Sequence, residues 1–379
     1  MESISKHAVV LDTNIIFDHW FLDTPYFNLL ERAPNLDILE IYIPEVVLLE
    51  VKSTYRRRLR EYFNYEKIPT MTKKLDIKLP SPEQICQKYE EFLKRKIANS
   101  SFNILNINEH INIKKLLMKS IKGKKPFKGT SEKGFKDELI WQTIINTLLV
   151  KKYKVYFITN NTNDFCQGSQ LHPDLKKELQ DLGIPKDNCL IYTSLKSFVN
   201  EQISPRFEKA KRFISGFDLK NWILDNISFL YDKITVQCDP FNFDIEEPEL
   251  VEISYVGEAY IDNAYYLDEN CKQIFVHATA EVQATLDAFL SKHNYYGLDN
   301  ERALISVMDE DWSDHYVWIQ IHPEASLDIS FILNIKTNEV ISFEGILTCY
   351  EIYDFCKHCS APLYSDAVEV CPNCGKNLF

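Results

Sequence analysis

The first apolar run of the chain, Ala8-Val9-Val10-Leu11, stops abruptly at Asp12. Four apolar residues in a row, two of them β-branched, predict a strand buried on both faces, as in a parallel sheet. A run of the same kind, Val155-Tyr156-Phe157-Ile158, stops in Thr159-Asn160-Asn161-Thr162-Asn163-Asp164-Phe165. Between them the pattern alternates. Helix-like spacing over residues 15–30 is followed by a short strand over 39–44 that closes at Pro44, then a helix over 45–60. Pro80 and Pro82 interrupt the chain before a polar helix over 83–97, a strand over 102–106 and a helix over 111–121. Leu139, Ile140, Ile144, Ile145 and Leu148 then keep helical spacing through 138–150. Strands that alternate with helices predict an α/β domain around a central parallel sheet.

After residue 200 the texture changes. Residues 193–232 read as helical, and short β-type runs follow at 233–238, 250–255, 273–279, 316–321, 326–335 and 339–346. They predict a small antiparallel or mixed β-rich domain with one helix. The expected organisation is an α/β domain over 1–200, a helical linker over 201–235, a β-rich domain over 236–350 and a cysteine-bearing tail over 351–379. A chain of 379 residues is long enough for several cores. It shows no internal repeat and no low-complexity tract.

The strand ends carry the chemistry. In open parallel sheets, ligands bind beyond the carboxyl ends of the strands, which is where Asp12 falls. A carboxylate there is a metal ligand, a nucleophile or an N-cap. Glu50 lies among Val46, Val47, Leu49 and Val51, where a carboxylate is costly unless paired or metal-bound. Asp137 stands at the mouth of the 138–150 helix, and Asp164 follows the second buried strand. A phosphatase of the haloacid-dehalogenase type needs a second Asp two residues after the first; Asn14 is there instead, which excludes it.

Taken together, Val9-Val10-Leu11-Asp12-Thr13-Asn14, Ile43-Pro44-Glu45-Val46-Val47-Leu48-Leu49-Glu50, Lys125-Pro126-Phe127 with Gly134-Phe135-Lys136-Asp137, and Phe157-Ile158-Thr159-Asn160-Asn161 through Asp164-Phe165 resemble the PIN-domain nucleases, in particular the larger PIN-like group. The resemblance covers roughly residues 7–200. It implies a Rossmann-like three-layer fold and a magnesium- or manganese-dependent endoribonuclease. The family's first, second and third acids match Asp12, Glu50 and Asp137. Many members carry an Asp where this chain has Asn161, so the fourth role passes to Asp164. Asp12, Asp137 and Asp164 are then the expected ligands of the catalytic metal. Thr13, Asn14, Thr159, Asn161, Lys125 and Lys136, carried by the same pieces, are the expected substrate contacts. A non-catalytic RNA- or protein-binding protein and a DNA or flap nuclease are the competing readings, and the resemblance leaves open whether the chain is a toxin, a defence effector or a processing enzyme.

Charge sharpens the picture. The net charge is −12, yet residues 1–200 hold 31 Lys+Arg against 24 Asp+Glu, and residues 201–379 hold 12 against 31. A basic half implies an anionic partner for the first part alone, and the resemblance implies that this partner is a nucleic acid, RNA. Arg56-Arg57-Arg58-Leu59-Arg60, at the end of the helix bearing Glu50, reads either as a solvated face or as a phosphate contact. A protein partner or a homo-oligomer stays open.

Of the ten cysteines, six (Cys86, Cys166, Cys189, Cys238, Cys271, Cys349) are scattered singly. Cys356 and Cys359, then Cys371 and Cys374, form two two-residue-spaced pairs eleven residues apart. Four thiolates in two knuckles make a closed tetrahedral zinc site that folds with its metal, and the tail resembles the zinc-ribbon group. Rubredoxin-like iron is the alternative; His358 reads as exposed. With no apolar stretch of about 18 residues and no basic leader, the expected location is the reducing cytoplasm, away from membranes.

Overall fold

The computed structural model describes residues 6–378 except 18, 37–38, 64–79, 108–110, 128–132, 239–244, 269, 299–304, 351–353, 357, 359–361, 364–369 and 372–373. The chain forms two units, Met1–Arg206 and Phe207–Phe379.

The first unit is built on a sheet of five parallel strands. In chain order its elements are β1 (His7–Leu11), α1 (Thr13–Phe17), α2 (Pro25–Arg32), β2 (Leu39–Pro44), α3 (Glu45–Phe63), α4 (Pro82–Asn99), β3 (Phe102–Leu105), α5 (Ile113–Ile121), α6 (Phe135–Ile144), β4 (Lys154–Ile158), α7 (Thr162–Phe165), α8 (Pro173–Asp181) and β5 (Cys189–Tyr192). The strand order is β3-β2-β1-β4-β5. Successive strands therefore leave β1 in one direction, and the chain then returns to build the other side. That reversal opens a crevice at the carboxyl ends of β1 and β4. Ala8, Val9, Val10 and Leu11 are all fully buried, as the continuous apolar run predicts for a central strand. The helix expected over 15–30 is instead two short helices. Leu22 has a φ of 51°, and Pro25 opens α2, because the residue before a proline is disfavoured in the helical region.

One glycine in this unit is required by packing. Gly134 has a φ of 103° at the start of α6, and a Cβ there would meet the Pro126 carbonyl oxygen at 2.5 Å and Phe127 Cα at 2.9 Å. The Lys125-Pro126-Phe127 turn thus seats directly on the backbone from which α6 starts.

The second unit is an eight-stranded sheet with helices. Its elements are α9 (Lys211–Gly216), α10 (Leu219–Asn226), β6 (Ile234–Gln237), β7 (Glu246–Tyr266), β8 (Gln273–Ser291), β9 (Ile305–Asp309), β10 (Tyr316–Ile321), β11 (Glu324–Asn334) and β12 (Glu339–Cys349), with a two-residue strand at Glu208–Lys209 paired to β7. All pairs are antiparallel except β12 with β6. Two strands are much longer than the sequence pattern suggests. In β8 every second residue from Ile274 to Leu290 is buried, but four of these nine, Ala278, Ala280, Ala284 and Ala288, are alanines, weak apolar signals that hid the alternation. β7 carries repeated register shifts against β8, which blur its period. The stretch read as a helical linker supplies α10, whose Trp222 stacks on Phe331 at 4.2 Å between ring centroids within the core of this unit.

Cys238 and Cys349, read as single cysteines, are joined by a disulfide. They directly follow Gln237 and Thr348, which are paired in register on β6 and β12, so the parallel ladder brings them side by side.

The fit of the 125–127 turn on α6 has a measurable cost. Gly134→Ala is expected to destabilise the protein by about 3 kcal/mol, against about 1 kcal/mol for Gly168→Ala, where φ is 61° and nothing lies within 4 Å. Denaturant unfolding of the two variants checks this; equal costs would contradict the packing account.

Candidate active site

Asp12 follows β1 and continues its ladder, donating its backbone N–H to the Ile158 carbonyl at 3.0 Å. Its carboxylate is buried. Oδ1 accepts from the Thr13 N–H at 2.7 Å, and Oδ2 accepts from the Thr159 hydroxyl at 2.5 Å. Burial pushes the Asp12 carboxyl up to about 7, against the two hydrogen bonds and with the help of the charges on Asp137 and Glu50. A group in the first turn of a helix that served only as a cap would instead gain from its ionised form.

Glu50 sits one and a half turns into α3. Its Oε2 accepts from the Thr13 hydroxyl at 2.7 Å, and its Oε1 accepts from the Lys136 ammonium at 2.6 Å. Asp137 lies in the first turn of α6 and accepts from the Asn161 side-chain amide at 3.1 Å. The Asn161 backbone N–H in turn donates to the Thr159 hydroxyl at 3.0 Å. A continuous chain of hydrogen bonds therefore runs from Asp137 through Asn161 and Thr159 to Asp12. Nearby, Asn14 accepts from the Asn160 backbone N–H at 3.1 Å, tying the end of β4 to α1.

The structure thus brings Asp12, Glu50 and Asp137 into electrostatic reach of one another. Thr13, Thr159 and Asn161, the expected substrate contacts, point donors at these acids, and Thr159 is fully buried. An acid at position 161 could not donate to Asp137 and would add like charge beside it. Asp164 is buried in α7 and faces the Lys125 ammonium at 3.6 Å; that ammonium also donates to the Asn163 carbonyl at 2.5 Å. Residues 128–132 of the basic loop lie outside the described residues.

Sequence reasoning missed what holds α6 in place. The nearly buried Lys119 ammonium donates to Glu138 at 2.6 Å and to Glu178 at 2.7 Å, and Gln142 bridges the same two acids at 2.9 Å each. Trp141 also donates to Glu178, at 2.9 Å. Burial pushes Glu138 up to about 7 despite Lys119; at Glu178 burial acts upward too, but Lys119, Lys115 and Gln142 bring it down to about 2. Lys119, Glu138 and Glu178 belong to three different stretches of sequence, so only Glu138, adjacent to Asp137, carried any local signal.

Residues 9–165 match the family model described as PIN domain. The matched segment runs from β1 to α7 and contains Asp12, Glu50, Asp137 and Asp164. The match supports a PIN domain of α/β type, with a parallel sheet flanked by helices, and with it a nuclease acting on nucleic acid. No curated protein and no solved structure matches the chain.

At the other end of the chain, one sulfur each of Cys356, Cys371 and Cys374 all lie within 4.8 Å of one another, a set that could hold a metal ion. Among the described residues no three carboxylates or imidazoles meet that criterion. Cys356 and Cys371 are buried, and the Gly375 N–H donates to the Cys371 carbonyl at 2.9 Å with Gly375 at a φ of 67°, a tight turn behind the second pair. Cys359 lies outside the described residues. His358 is exposed and bonds the Asn377 carbonyl at 3.1 Å.

The raised Asp12 carboxyl predicts a pH signature. An acid whose folded pKa is about 7 binds its proton more tightly folded than unfolded, so stability falls as pH rises from about 4 through 7. In chelator, Asp12→Asn is expected to melt above the parent at pH 8, with the gap closing toward pH 5. Calorimetric scans across that range check it; a variant that melts with or below the parent at pH 8 would show that the Asp12 charge is not a cost to the fold.

Proposed function

We propose that the chain is a divalent-metal-dependent endoribonuclease that hydrolyses RNA phosphodiester bonds at the Asp12 site. The observation that carries this reading is the hydrogen-bonded chain at the end of β4, which holds Asp12 and Asp137 together at the mouth of a PIN-type sheet with Glu50 beside them. Like charges gathered where one of them is pushed up to about 7 fit a site that takes a hard cation on oxygen ligands. Asp12 and Asp137 would hold magnesium or manganese, with Asp164 as a further ligand. When bound, such an ion polarises the scissile phosphate and makes an attacking water more acidic.

The chain's own residues do the rest. Thr13, Thr159 and Asn161 aim the three acids through donors that carry no charge, and Glu50 also takes the Lys136 ammonium. Glu50 is placed to receive a proton from the incoming water or to direct it. Lys136 and Lys125, at the rim, neutralise the substrate's phosphates. A non-catalytic RNA-binding role is favoured by one observation, the Lys136–Glu50 ion pair, which satisfies an acid without any ion.

The tail is proposed to be a zinc ribbon, with Cys359 completing Cys356, Cys371 and Cys374, and with a structural role only, since four-thiolate sites leave no open position. The proposed location is the reducing cytoplasm, where thiols stay free for a metal; the Cys238–Cys349 disulfide argues the other way.

Asp12→Asn and Asp137→Asn are each expected to lower manganese-dependent RNA cleavage at least about 100-fold with the fold retained, because they weaken the ion's ligand set. Single-turnover cleavage of a labelled RNA measures it, and parental rates for Asp12→Asn under saturating manganese would remove the assignment. For the tail, elemental analysis should find one zinc per chain, lost on changing Cys371 and Cys374 to Ser while cleavage persists. Parent protein free of zinc would sink the ribbon.

A further inference from the structure

The arginines after Glu50 are not equivalent. On α3, Arg56 pairs with Glu90 at 2.8 Å, Arg60 with Glu83 at 3.4 Å and Arg57 with Glu61 at 3.9 Å. Such pairings are what a solvated charged face makes, and they leave little for a ligand. Arg58 has no carboxylate partner among the described residues. Its guanidinium instead lies over two rings, 5.8 Å from the centroid of Phe17 and 5.4 Å from that of Trp20.

The position of this group relates it to the acids. Thr13 bonds Glu50 where α1 and α3 leave the site, Phe17 is one turn past Thr13, and Arg58 is two turns past Glu50 on the same face. At 1.5 Å per residue, Arg58 stands about 12 Å along the helix from Glu50, the length of roughly three stacked nucleotides. The rings are also fixed from behind. Trp20 meets Tyr55 edge-on at 5.5 Å, Tyr55 stacks on Tyr89 at 3.8 Å, and the Tyr89 hydroxyl donates to the Trp20 carbonyl at 3.1 Å. Phe21, 49% exposed, extends the aromatic surface.

We infer that Arg58, Phe17 and Trp20 form a base-stacking platform for the single-stranded nucleic acid that leads to or from the Asp12 site. This rests on the nuclease reading and adds to it a binding subsite away from the acids, made by an arginine and two aromatic rings. An exposed guanidinium held against a rigid aromatic pair offers both a cation for a phosphate and a plane for a base, and every base has a π-face to place against it. A duplex keeps its bases stacked inside and can use only the charge. The platform therefore selects single strands over duplexes, whatever their sequence.

The test uses the full chain in chelator, so that nothing is cut, with a fluorescein-labelled unstructured RNA strand and the same strand annealed to its complement. Fluorescence anisotropy over a salt series should show Arg58→Ala weakening single-strand binding about tenfold and duplex binding by about twofold or less. Arg58→Lys, which keeps the charge but not the plane, should keep the parental salt dependence yet lose most of the single-strand preference. Trp20→Ala should follow Arg58→Ala; if it fails to fold, the two exposed-residue variants still decide. Unchanged single-strand binding by Arg58→Ala, an equal loss on strand and duplex, or full rescue by Arg58→Lys would overturn the platform. Manganese-dependent cutting by the parent is followed in parallel: a parent that does not cut counts against the nuclease reading while the binding ratios still decide the platform, and a parent that cuts beside unchanged binding ratios sinks the platform alone.

Discussion

Three carboxylates close enough to repel one another, one of them buried at the end of a central strand, are the constraint around which the first unit is arranged. A buried acid is tolerated when its hydrogen bonds are satisfied, and at Asp12 the satisfying groups are neutral. Thr159 and the Thr13 backbone hold Asp12, the Thr13 hydroxyl holds Glu50, and Asn161 holds Asp137. All four donors come from the residues at which β1 and β4 end. The adjacency of those two strands in the sheet is thus what joins the site, and the repulsion left over is what a cation could relieve.

Asp137 reaches the site from a helix, so the helix must be held as firmly as the strands. Two devices do this. The Pro126–Phe127 turn sits where only Gly134 fits, which sets where α6 begins. Further along, Lys119 draws Glu138 on α6 and Glu178 on α8 together from α5, with Trp141 and Gln142 completing the network. Breaking one member would leave a buried charge without its partner, which is more costly than never having had the pair. The Lys119 network lies apart from the groups bonded to Asp12, and its role is to fix the frame that presents Asp137.

The central sheet and the acids were legible in sequence because both obey local rules: an unbroken apolar run marks a central parallel strand, and an acid at its end marks the crevice. The roles of Thr13, Thr159 and Asn161 were not, since a polar residue at a strand end looks the same whether it faces substrate or a neighbouring carboxylate. The Lys119–Glu138–Glu178 network joins three helices, and no periodicity reports such a contact. In the second unit the alternation of β8 ran on through Ala278, Ala280, Ala284 and Ala288, which bury well but carry little hydrophobic signal. Cys238 and Cys349 were unreadable as a pair because their proximity depends on a parallel strand pairing across 111 residues. Arg58 was legible as a charge but not as part of an aromatic cluster; its place over Phe17 and Trp20 exists only in three dimensions.

The account turns on whether the charge gathered at Asp12 is a cation site. The most direct measurement is a crystal of the full chain soaked in manganese, with anomalous scattering recorded at the manganese edge. The prediction is a peak bound by oxygens of both Asp12 and Asp137, with the Lys136 ammonium withdrawn from Glu50. A soaked crystal with no anomalous peak between those two aspartates, and with Lys136 still on Glu50, would contradict it.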